Sequence, residues 1–407
     1  MRNVRRSIGA MVAEAARSFP AVVITGPRRA GKTTLLRQLF PRAGYVLLED
    51  PDIVARVAAD PRALLDELRL PVILDEIQNS PQLFAYIRAR IDRNPREMGR
   101  WLITGSQEEP LMQGVVESMA GRASVFQLLP FSLSESPKVS MLRGGYPEVL
   151  ARPANSAMWM SSYIQTYLER DVRAITNVRD LASFRRFLAM LASRHGQVLN
   201  KSDIAAPLGV TVPTLTAWID ILEIIGQIIV VQPYHENFGK RLIKSPKVYI
   251  GDPGLACYLL GIRTQAELDR SPFLGPLFEG FVASEILKSQ VNEGRRKELY
   301  FFRDQQGLEV DFLFPDRHGA LWMAECKAAK TVHPAMAKPM ISLRDAMSGP
   351  VPPRLTVVHR KSSAPPMRVL FPGVEALDVE SFSEALAAPP KRGGRTPKPR
   401  LVRTAGG

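Results

Sequence analysis

Short apolar runs alternate with amphipathic stretches over the first third of the chain. The runs AVVIT, YVLLE, PVILDE, RWLIT and SVFQLL are typical of buried strands. The stretches between them, which include GKTTLLRQLF, DPRALLDELR and SPQLFAYIRARIDR, carry apolar residues at helical spacing. Because buried strands that alternate with helices form parallel sheets covered by helices, the pattern predicts an α/β domain over residues 1–135.

The pattern then becomes helical. Two long amphipathic stretches, NSAMWMSSYIQTYLERDV and DLASFRRFLAMLASRHG, predict a helical linker or lid over residues 136–195. NKSDIAAPLGV and TVPTLTAWIDILEII predict two helices joined by a tight turn at Gly209, with Thr211 as the N-cap of the second. A strand, a basic loop and another strand follow. Two helices and a basic hairpin are typical of a winged helix-turn-helix, which we predict over residues 196–255.

The last predicted domain covers residues 256–388. Its elements are a helix, PLFEGFVASEILKSQV, the strands ELYFF, LEVDFLF and LWMAECKA, a further helix, the strand RLTVVHR and a final helix near EALDVESFSEALA. The predicted fold class is therefore α/β, with a parallel-sheet domain, a helical and winged-helix middle and an α/β carboxy-terminal domain. Residues 389–407 contain Pro, Lys and Arg but no acid, and we predict that they form a disordered basic tail.

Composition narrows the class of protein. The chain has 407 residues, of which 45% are hydrophobic and 23% charged, which is ordinary for a globular protein of several domains. Its formal net charge of +14 favours a polyanionic partner, DNA foremost, although an arginine-rich composition can also reflect a GC-rich genome. No apolar run reaches the roughly 18 residues of a membrane span. Since the two cysteines cannot form a disulfide framework, we expect a cytoplasmic protein.

A glycine-rich loop, GPRRAGKT, follows the first apolar run and precedes a predicted helix. It matches G-x-x-x-x-G-K-[ST] in the structural context that this motif requires. The glycines let backbone amides curl around phosphate oxygens, and the helix N-terminus adds positive potential. We expect Lys32 to reach the terminal phosphates of ATP and Thr33 to hold Mg2+. The predicted nucleotide-binding residues are Gly26, Pro27, Arg28, Arg29, Ala30, Gly31, Lys32, Thr33 and Thr34.

Acids at the end of a later strand complete the predicted ATP site. In VILDEI, Asp75 is expected to hold Mg2+ through water, and Glu76 to polarise the attacking water. Thr104 and Ser106, at the end of RWLITGS, either contact the γ-phosphate or form a simple turn. Arg122, in SMAGRA, either acts as an arginine finger on a neighbour's nucleotide within a homo-oligomer or is a surface arginine that caps a helix.

A second group of acids lies on two strands near the carboxyl terminus. Because strand side chains alternate between faces, Asp311 shares a face with Glu309, and Glu325 shares one with Lys327. If the strands pair, Asp311 and Glu325 converge on one Mg2+, with Lys327 beside it. Three interpretations stay open: an active nuclease site, a retained fold whose chemistry is unused, and a solvated strand face.

The motifs together resemble those of a known family. ITGPRRAGKTTLL, VILDEIQ, LITGSQ and SMAGR are similar to the AAA-type ATPases of a large prokaryotic family, and the similarity continues through FEGFVASEIL and LEVDFLF to ECKAAK. Members of that family pair the ATPase with a carboxy-terminal domain of unknown function that resembles PD-(D/E)xK nucleases. The resemblance implies that Glu279 is a further metal ligand beside Asp311 and Glu325.

Two functions follow from these observations. In the first, ATP hydrolysis controls a carboxy-terminal domain that acts on nucleic acid and cleaves DNA. The winged helix would then place its second helix in the major groove and its basic hairpin residues on phosphates, namely Lys240, Arg241, Lys244 and Lys247. In the alternative, the ATPase is a slow nucleotide switch with a protein partner, and the carboxy-terminal domain is a non-catalytic binding module.

Overall fold

The amino-terminal sheet has the predicted parallel strands. The computed structural model describes residues 4–106, 118–168, 181–234, 244–347, 351–362 and 369–388. Within them the first five strands are β1 (Ala21–Thr25), β2 (Gly44–Leu47), β3 (Val72–Asp75), β4 (Trp101–Thr104) and β5 (Ala123–Gln127). Their order in the sheet is β2-β3-β4-β1-β5, and every pairing is parallel. The predicted alternation of strands and helices is confirmed.

Helices cover both faces of this sheet. They are α1 (Gly9–Ser18), α2 (Lys32–Leu39), α3 (Pro51–Ala59), α4 (Pro61–Glu67) and α5 (Leu83–Arg93), of which α1 and α3 were not predicted. Alternate residues of β1 point to opposite faces. Val22 packs in one core with residues of α1 and α2, whereas Val23 packs in another with residues of α3 to α5. Because both faces of β1 are covered, its sequence is a continuous apolar run.

The middle of the chain is helical, as predicted. Its helices are α6 (Pro147–Ala151), α7 (Ser156–Tyr163), a π-helical turn at Ile164–Leu168, α8 (Leu181–Ser193), α9 (Lys201–Leu208) and α10 (Val212–Ile224). The α9 and α10 axes meet at 110°. Gly209 makes the turn with a φ of 68°, and the Thr211 side chain accepts a hydrogen bond from the Thr214 amide at 3.3 Å. The predicted turn and N-cap are confirmed.

Two antiparallel strands, β6 (Ile228–Pro233) and β7 (Lys247–Ile250), follow α10. The basic loop predicted between them falls on residues 235–243, outside the described residues. Gln232 of β6 also pairs in parallel with Tyr300 of a later strand. The two strands therefore belong to a larger sheet, and their identity as a wing stays a prediction.

The larger sheet extends through the carboxy-terminal part. Its further strands are β8 (Tyr300–Arg303), β9 (Glu309–Pro315), β10 (Leu321–Lys327), β11 (Arg354–His359), β12 (Val369–Phe371) and β13 (Val374–Asp378). Across the described residues the strand order is β12-β13-β11-β10-β9-β8-β6-β7. The final helix was predicted near residues 375–387, but the first part of that range is strand β13. The helix begins at Val379 because the Asp378 side chain accepts a hydrogen bond from the Ser381 amide at 2.7 Å.

One hydrophobic core joins the middle and the carboxy-terminal part. The remaining helices are α11 (Pro253–Leu259), α12 (Gln265–Arg270), α13 (Leu274–Asn292), α14 (Lys338–Ala346) and α15 (Val379–Ala387). Helix α13 is buried along most of its length and packs against β10, α11 and α15. Its core cluster includes residues from Phe131 to Leu386. Both this core and the larger sheet cross the predicted domain boundary after residue 255.

None of the individual helices in the described ranges is long and apolar enough to cross a membrane; α9 and α10 meet that criterion only when they are taken together as a bent pair. The predicted basic tail lies outside the described residues.

Candidate nucleotide site and carboxylate cluster

The glycine-rich loop connects β1 to α2. Gly26 and Gly31 have φ values of 133° and 101°, which favour glycine. A Cβ atom at Gly26 would lie 2.2 Å from the carbonyl oxygen of Leu128, so a larger residue does not fit there. Arg29 also has a positive φ, of 62°. The strand, loop and helix have the arrangement that binds phosphate groups in front of a helix N-terminus.

Lys32 lies at the start of α2 and is buried. Its Nζ donates hydrogen bonds to the carbonyl oxygens of Gly26, at 3.0 Å, and Pro27, at 3.1 Å. The ammonium group therefore lies against the same loop whose amides would surround the phosphates. A positive charge at this place can neutralise the terminal phosphates of a nucleotide.

Asp75 ends β3 and accepts hydrogen bonds from hydroxyl groups on three elements. Thr33 Oγ1 donates to its two carboxylate oxygens at 2.8 and 2.9 Å, and Tyr45 on β2 donates at 2.8 Å. Thr104, at the end of β4, donates to the same carboxylate. Burial, followed by the bond to Asp75, raises the pKa of Tyr45 to about 12, so this phenol keeps its proton. The neighbouring strands thus fix the carboxylate beside the Thr33 hydroxyl.

The Thr33 hydroxyl and the Asp75 carboxylate fit a Mg2+ site. Both are oxygen ligands, which this hard cation prefers, and they already lie within hydrogen-bonding distance of each other. Two protein ligands are enough, because Mg2+ takes its remaining ligands from phosphate and water.

Glu76 follows Asp75 at the point where β3 ends. Its φ of 60° is left-handed, and its amide donates to Thr104 Oγ1 at 3.3 Å. Its carboxylate accepts from the Gln78 amide group at 2.5 Å and lies 3.6 Å from Arg28 of the glycine-rich loop. Thr104, predicted to contact the γ-phosphate or form a turn, bonds the Asp75 carboxylate and the Glu76 backbone amide and therefore positions both residues.

Arg6, which precedes α1, is a residue that the sequence did not reveal. Its buried guanidinium donates to the carbonyl oxygens of Ala30, at 3.0 Å, and Leu129, at 2.5 Å, and to the Glu135 carboxylate at 3.0 Å. It also lies over the Phe131 ring, 4.5 Å from the ring centre. The partners are far away in the sequence, so no local pattern marks this contact. Arg6 ties the glycine-rich loop to residues 129–135, which we call the linking segment.

Helix α13 holds the other side of the linking segment. Lys288 Nζ donates to the carbonyl oxygen of Phe131 at 3.0 Å. Glu285 Oε2 accepts from the Leu133 amide at 2.8 Å and from the Ser383 hydroxyl at 3.1 Å. Lys288 and Glu285 are both buried and lie 3.3 Å apart. A buried polar contact thus connects the end of the amino-terminal domain with the carboxy-terminal part.

Arg122 and the glycine-rich loop lie at opposite ends of the strands of the amino-terminal sheet. Its carbonyl oxygen accepts from the amide of Ala21, which begins β1, whereas the loop follows the other end of that strand. At about 3.3 Å per residue, the two ends of β1 are about 13 Å apart. The Arg122 side chain is half-exposed and pairs with Asp92 at 2.6 Å. Its role on a neighbour's nucleotide stays a prediction.

The second group of acids comes together as predicted. Strands β9 and β10 pair antiparallel with Ala324 opposite Phe312. The Cys326 amide donates to Asp311 Oδ2 at 2.8 Å, and Lys327 Nζ donates to Glu325 Oε1 at 2.7 Å. Burial raises the pKa of Asp311; burial, followed by repulsion from Asp311, raises that of Glu325 to about 8.

Lys247 of β7 also enters this group, which was not predicted. Its Nζ lies 2.8 Å from Glu279 Oε1 and 2.6 Å from Glu309 Oε1, and only 3% of its side chain is exposed. Burial alone would lower the pKa of Lys247, but Glu279, then Asp311 and Glu309, raise it. The expectation that Lys247 contacts nucleic-acid phosphates is therefore wrong. We call Lys247 and the acids Glu279, Glu309, Asp311 and Glu325 the carboxylate cluster.

The carboxylate cluster already contains a cation beside one of the predicted metal ligands. In the part of the chain that the structure describes, no three acidic, histidine or cysteine side chains are arranged to hold a metal ion. The Lys247 ammonium is bound to Glu279, one of the three predicted ligands beside Asp311 and Glu325. A divalent cation about 4 Å from that ammonium would be opposed by about 8 kcal/mol at an effective dielectric constant of about 20, which cancels the attraction of one carboxylate at the same distance. The geometry thus argues against the predicted metal site.

The second helix of the predicted winged helix has few side chains that suit contact with nucleic acid. Helix α10 contains no lysine, arginine, asparagine or glutamine, and its exposed residues include Asp220 and Glu223. Of the basic hairpin residues, Lys244 is exposed, whereas Lys240 and Arg241 lie outside the described residues. DNA binding by this helix stays a prediction.

The sheet order and the site together define a class of protein. The parallel sheet has the order β2-β3-β4-β1-β5. The glycine-rich loop, from here on the phosphate loop, follows β1, and the acidic pair lies at the end of β3. This arrangement is that of a P-loop ATPase of the AAA type. Residues 18–136 match the family model of an AAA domain. Residues 135–266 and 274–372 match two domains of unknown function, DUF8612 and DUF4143.

Relatives place the whole chain in one family. Uncharacterized proteins of Mycobacterium bovis and Mycobacterium tuberculosis are each 34% identical to it in an alignment of 394 residues that covers 94% of this chain and 87% of theirs. The protein belongs to the same family as these mycobacterial proteins.

Two solved structures are also similar in part. The Walker-type ATPase PABY2304 of Pyrococcus abyssi aligns with 64% of this chain and 96% of its own, at 17% identity and a TM-score of 0.44. The RuvB Holliday junction branch migration motor of Thermotoga maritima aligns with 54% of this chain and 86% of its own, at 16% identity and a TM-score of 0.29.

Proposed function

We propose that the protein hydrolyses ATP at the phosphate loop and that its nucleotide state is passed to the carboxy-terminal part. The observation that carries the proposal is the meeting of Lys32, Thr33, Asp75 and Glu76 around one loop. This set contains a cation for the phosphates, oxygen ligands for Mg2+ and an acid for water.

Each residue has a distinct task in this reaction. Lys32 leaves its carbonyl partners to neutralise the terminal phosphates. Thr33 and Asp75 would hold Mg2+, which neutralises charge on the phosphate oxygens when it is bound. Glu76 accepts a proton from, or orients, the attacking water. Thr104 does not react; its hydroxyl keeps the Asp75 carboxylate and the Glu76 backbone in place.

The linking segment supports the second half of the proposal. Arg6 bonds both to Ala30 in the phosphate loop and to Leu129, and α13 bonds to Phe131 and Leu133. A shift of the phosphate loop therefore changes the contacts of α13 unless the hydrogen bonds of Arg6 break. Two alternative arrangements of such a contact would serve as a nucleotide switch.

Among the two functions drawn from the sequence, the switch with a protein partner agrees better with the geometry. The acidic exposed residues of α10 and the lysine bound within the carboxylate cluster both weigh against DNA cleavage. The carboxy-terminal part then acts as a binding module.

Phosphate release from Mg-ATP tests the proposed function. The wild type should release phosphate, Lys32→Ala should bind and hydrolyse little ATP, and Glu76→Gln should bind ATP but hydrolyse it at least about a hundredfold more slowly. The exposed Arg5→Met serves as a control and should resemble the wild type. No ATP binding by the wild type would refute the proposal. Strong stimulation of ATP hydrolysis by DNA would indicate that the partner is nucleic acid and not protein.

DNA cleavage remains a second candidate because Asp311, Glu325 and Lys327 do lie together, as a nuclease requires. It is tested with single- and double-stranded DNA and RNA in Mg2+ or Mn2+, with and without ATP. Cleavage that is lost in both Asp311→Ala and Lys327→Ala, while ATP hydrolysis persists, would establish a nuclease. No cleavage under any condition would support the binding module.

A further inference from the structure

The carboxylate cluster contains a cation supplied by the chain itself. We infer that the Lys247 ammonium permanently takes the place of a divalent metal in this cluster and fastens β7 to α13 and β9. It contacts Glu279 on α13 and Glu309 on β9, at 2.8 and 2.6 Å. Since neither contact involves the ATP site, the inference is independent of ATP hydrolysis.

The backbone keeps Lys247 in this position. On one side, Lys247 pairs with Val231 of β6, and on the other it forms a bridge with Val198. The preceding residue, Pro246, accepts a hydrogen bond from the Leu199 amide at 2.7 Å. The side chain cannot leave the carboxylate cluster by a shift of β7 unless these pairings break.

The surroundings of the side chain also suit an ammonium group. An ammonium donates three hydrogen bonds, and two carboxylates lie within range of it. The Phe301 ring lies 5.4 Å from Nζ, and the Tyr249 hydroxyl donates to the Glu279 oxygen that Lys247 contacts. A buried charge that is paired in this way is stable, whereas a charge left alone is not.

Further cations complete the balance of charge. Lys327 pairs with Glu325 at 2.7 Å, and Arg303 lies 3.5 Å from Glu309. Together with Lys247, these cations offset most of the negative charge of the four acids without a metal. An ammonium group, unlike Mg2+, cannot coordinate and activate a water molecule. The carboxylate cluster therefore joins parts of the fold and does not hydrolyse phosphodiesters through a metal.

Binding of Mn2+ to the nucleotide-free full-length protein, followed by electron paramagnetic resonance, tests the inference. Wild type, Lys247→Arg and Asp311→Asn should bind Mn2+ equally, because the phosphate loop contributes the same weak site in each. Lys247→Met should gain one site at least about tenfold tighter, since the four acids then lack the charge of Lys247. The added site should vanish in Lys247→Met/Asp311→Asn.

Two results would overturn the inference. One is a wild-type Mn2+ site that Asp311→Asn removes, since the carboxylate cluster would then hold a metal despite Lys247. The other is a folded Lys247→Met that binds no more Mn2+ than the wild type. Lys247→Met lacks one partner of a buried pair and can therefore fail to fold. In that case the comparison of wild type with Asp311→Asn decides. Equal Mn2+ binding by the two proteins supports the inference, and unequal binding refutes it.

Discussion

Replacing Arg6 with methionine should loosen the amino-terminal domain far more than its position before the first helix suggests. The side chain is 5% exposed, and that of its partner Glu135 is fully buried. The change removes hydrogen bonds to Ala30, Leu129 and Glu135 while it roughly preserves the volume of the side chain. It leaves a buried carboxylate without its cation.

The size of the effect follows from these contacts. A hydrogen bond to a charged group contributes about 1.5–3 kcal/mol, and loss of one partner of a buried ion pair costs about 3–5 kcal/mol. The three bonds share one side chain, so their contributions are not additive. Glu135 keeps the amides of Ser7 and Ser132 as donors, at 2.9 and 3.1 Å. We therefore expect a loss of about 3 kcal/mol, near the lower limit of the range for a buried pair.

Amide hydrogen exchange of β1 in the full-length protein measures this loss. A decrease of about 3 kcal/mol in opening free energy corresponds to exchange faster by about a hundredfold. Arg5→Met is the matched control, since Arg5 is exposed, and should exchange like the wild type. Arg6→Met/Glu135→Gln should recover part of the loss because no unpaired charge remains. Exchange of Arg6→Met within about threefold of Arg5→Met would refute the reasoning.

Two further predictions concern Mg2+ and pH. Thr33→Val removes the hydroxyl that bonds Asp75 and should lower kcat/KM for Mg-ATP by at least about a hundredfold. Thr33→Ser keeps the hydroxyl and should stay within about threefold of the wild type. A kcat/KM of Thr33→Val equal to that of the wild type would contradict the role of Thr33 as a Mg2+ ligand. Burial lowers the pKa of His195 from 6.5 to about 3, so the unfolded chain takes up the proton first as the pH falls. Stability should thus decline between pH 6.5 and pH 3, by about 2 kcal/mol from pH 7 to pH 5. His195→Asn retains an acceptor for the Ile250 amide. In urea unfolding this variant should be less stable than the wild type at pH 7, but its stability should not decline as the pH falls. If its stability declines as that of the wild type does, His195 is not the cause of the decline.

The sequence predicts the strands and the phosphate loop well because both depend on local chemistry. A strand buried on two faces must be apolar throughout, and the loop needs glycine where φ is positive. The alternation of strand side chains likewise predicts that Asp311 and Glu325 meet, which the pairing of β9 and β10 produces. In each case the spacing along the chain fixes the geometry.

Contacts between distant parts of the chain could not be predicted in this way. Arg6 and Lys247 are ordinary basic residues in the sequence, and only the packing of α13 and the linking segment shows that both are buried. Lys247 was expected at the surface because it belongs to a basic stretch. The buried acids that hold it come from α13 and β9, and no spacing rule connects them to β7. The place of this ammonium beside the predicted metal ligands could not be predicted for the same reason.

Hydrogen exchange at the Leu133 amide tests the nucleotide switch most directly, because this amide donates to Glu285 of α13 at 2.8 Å. The measurement compares Glu76→Gln loaded with ATP against the same variant loaded with ADP. We predict that the exchange rate differs by at least about tenfold between the two nucleotides, and that adding Arg6→Met removes the difference. Equal exchange with both nucleotides, in a protein whose wild type hydrolyses ATP, would contradict the switch.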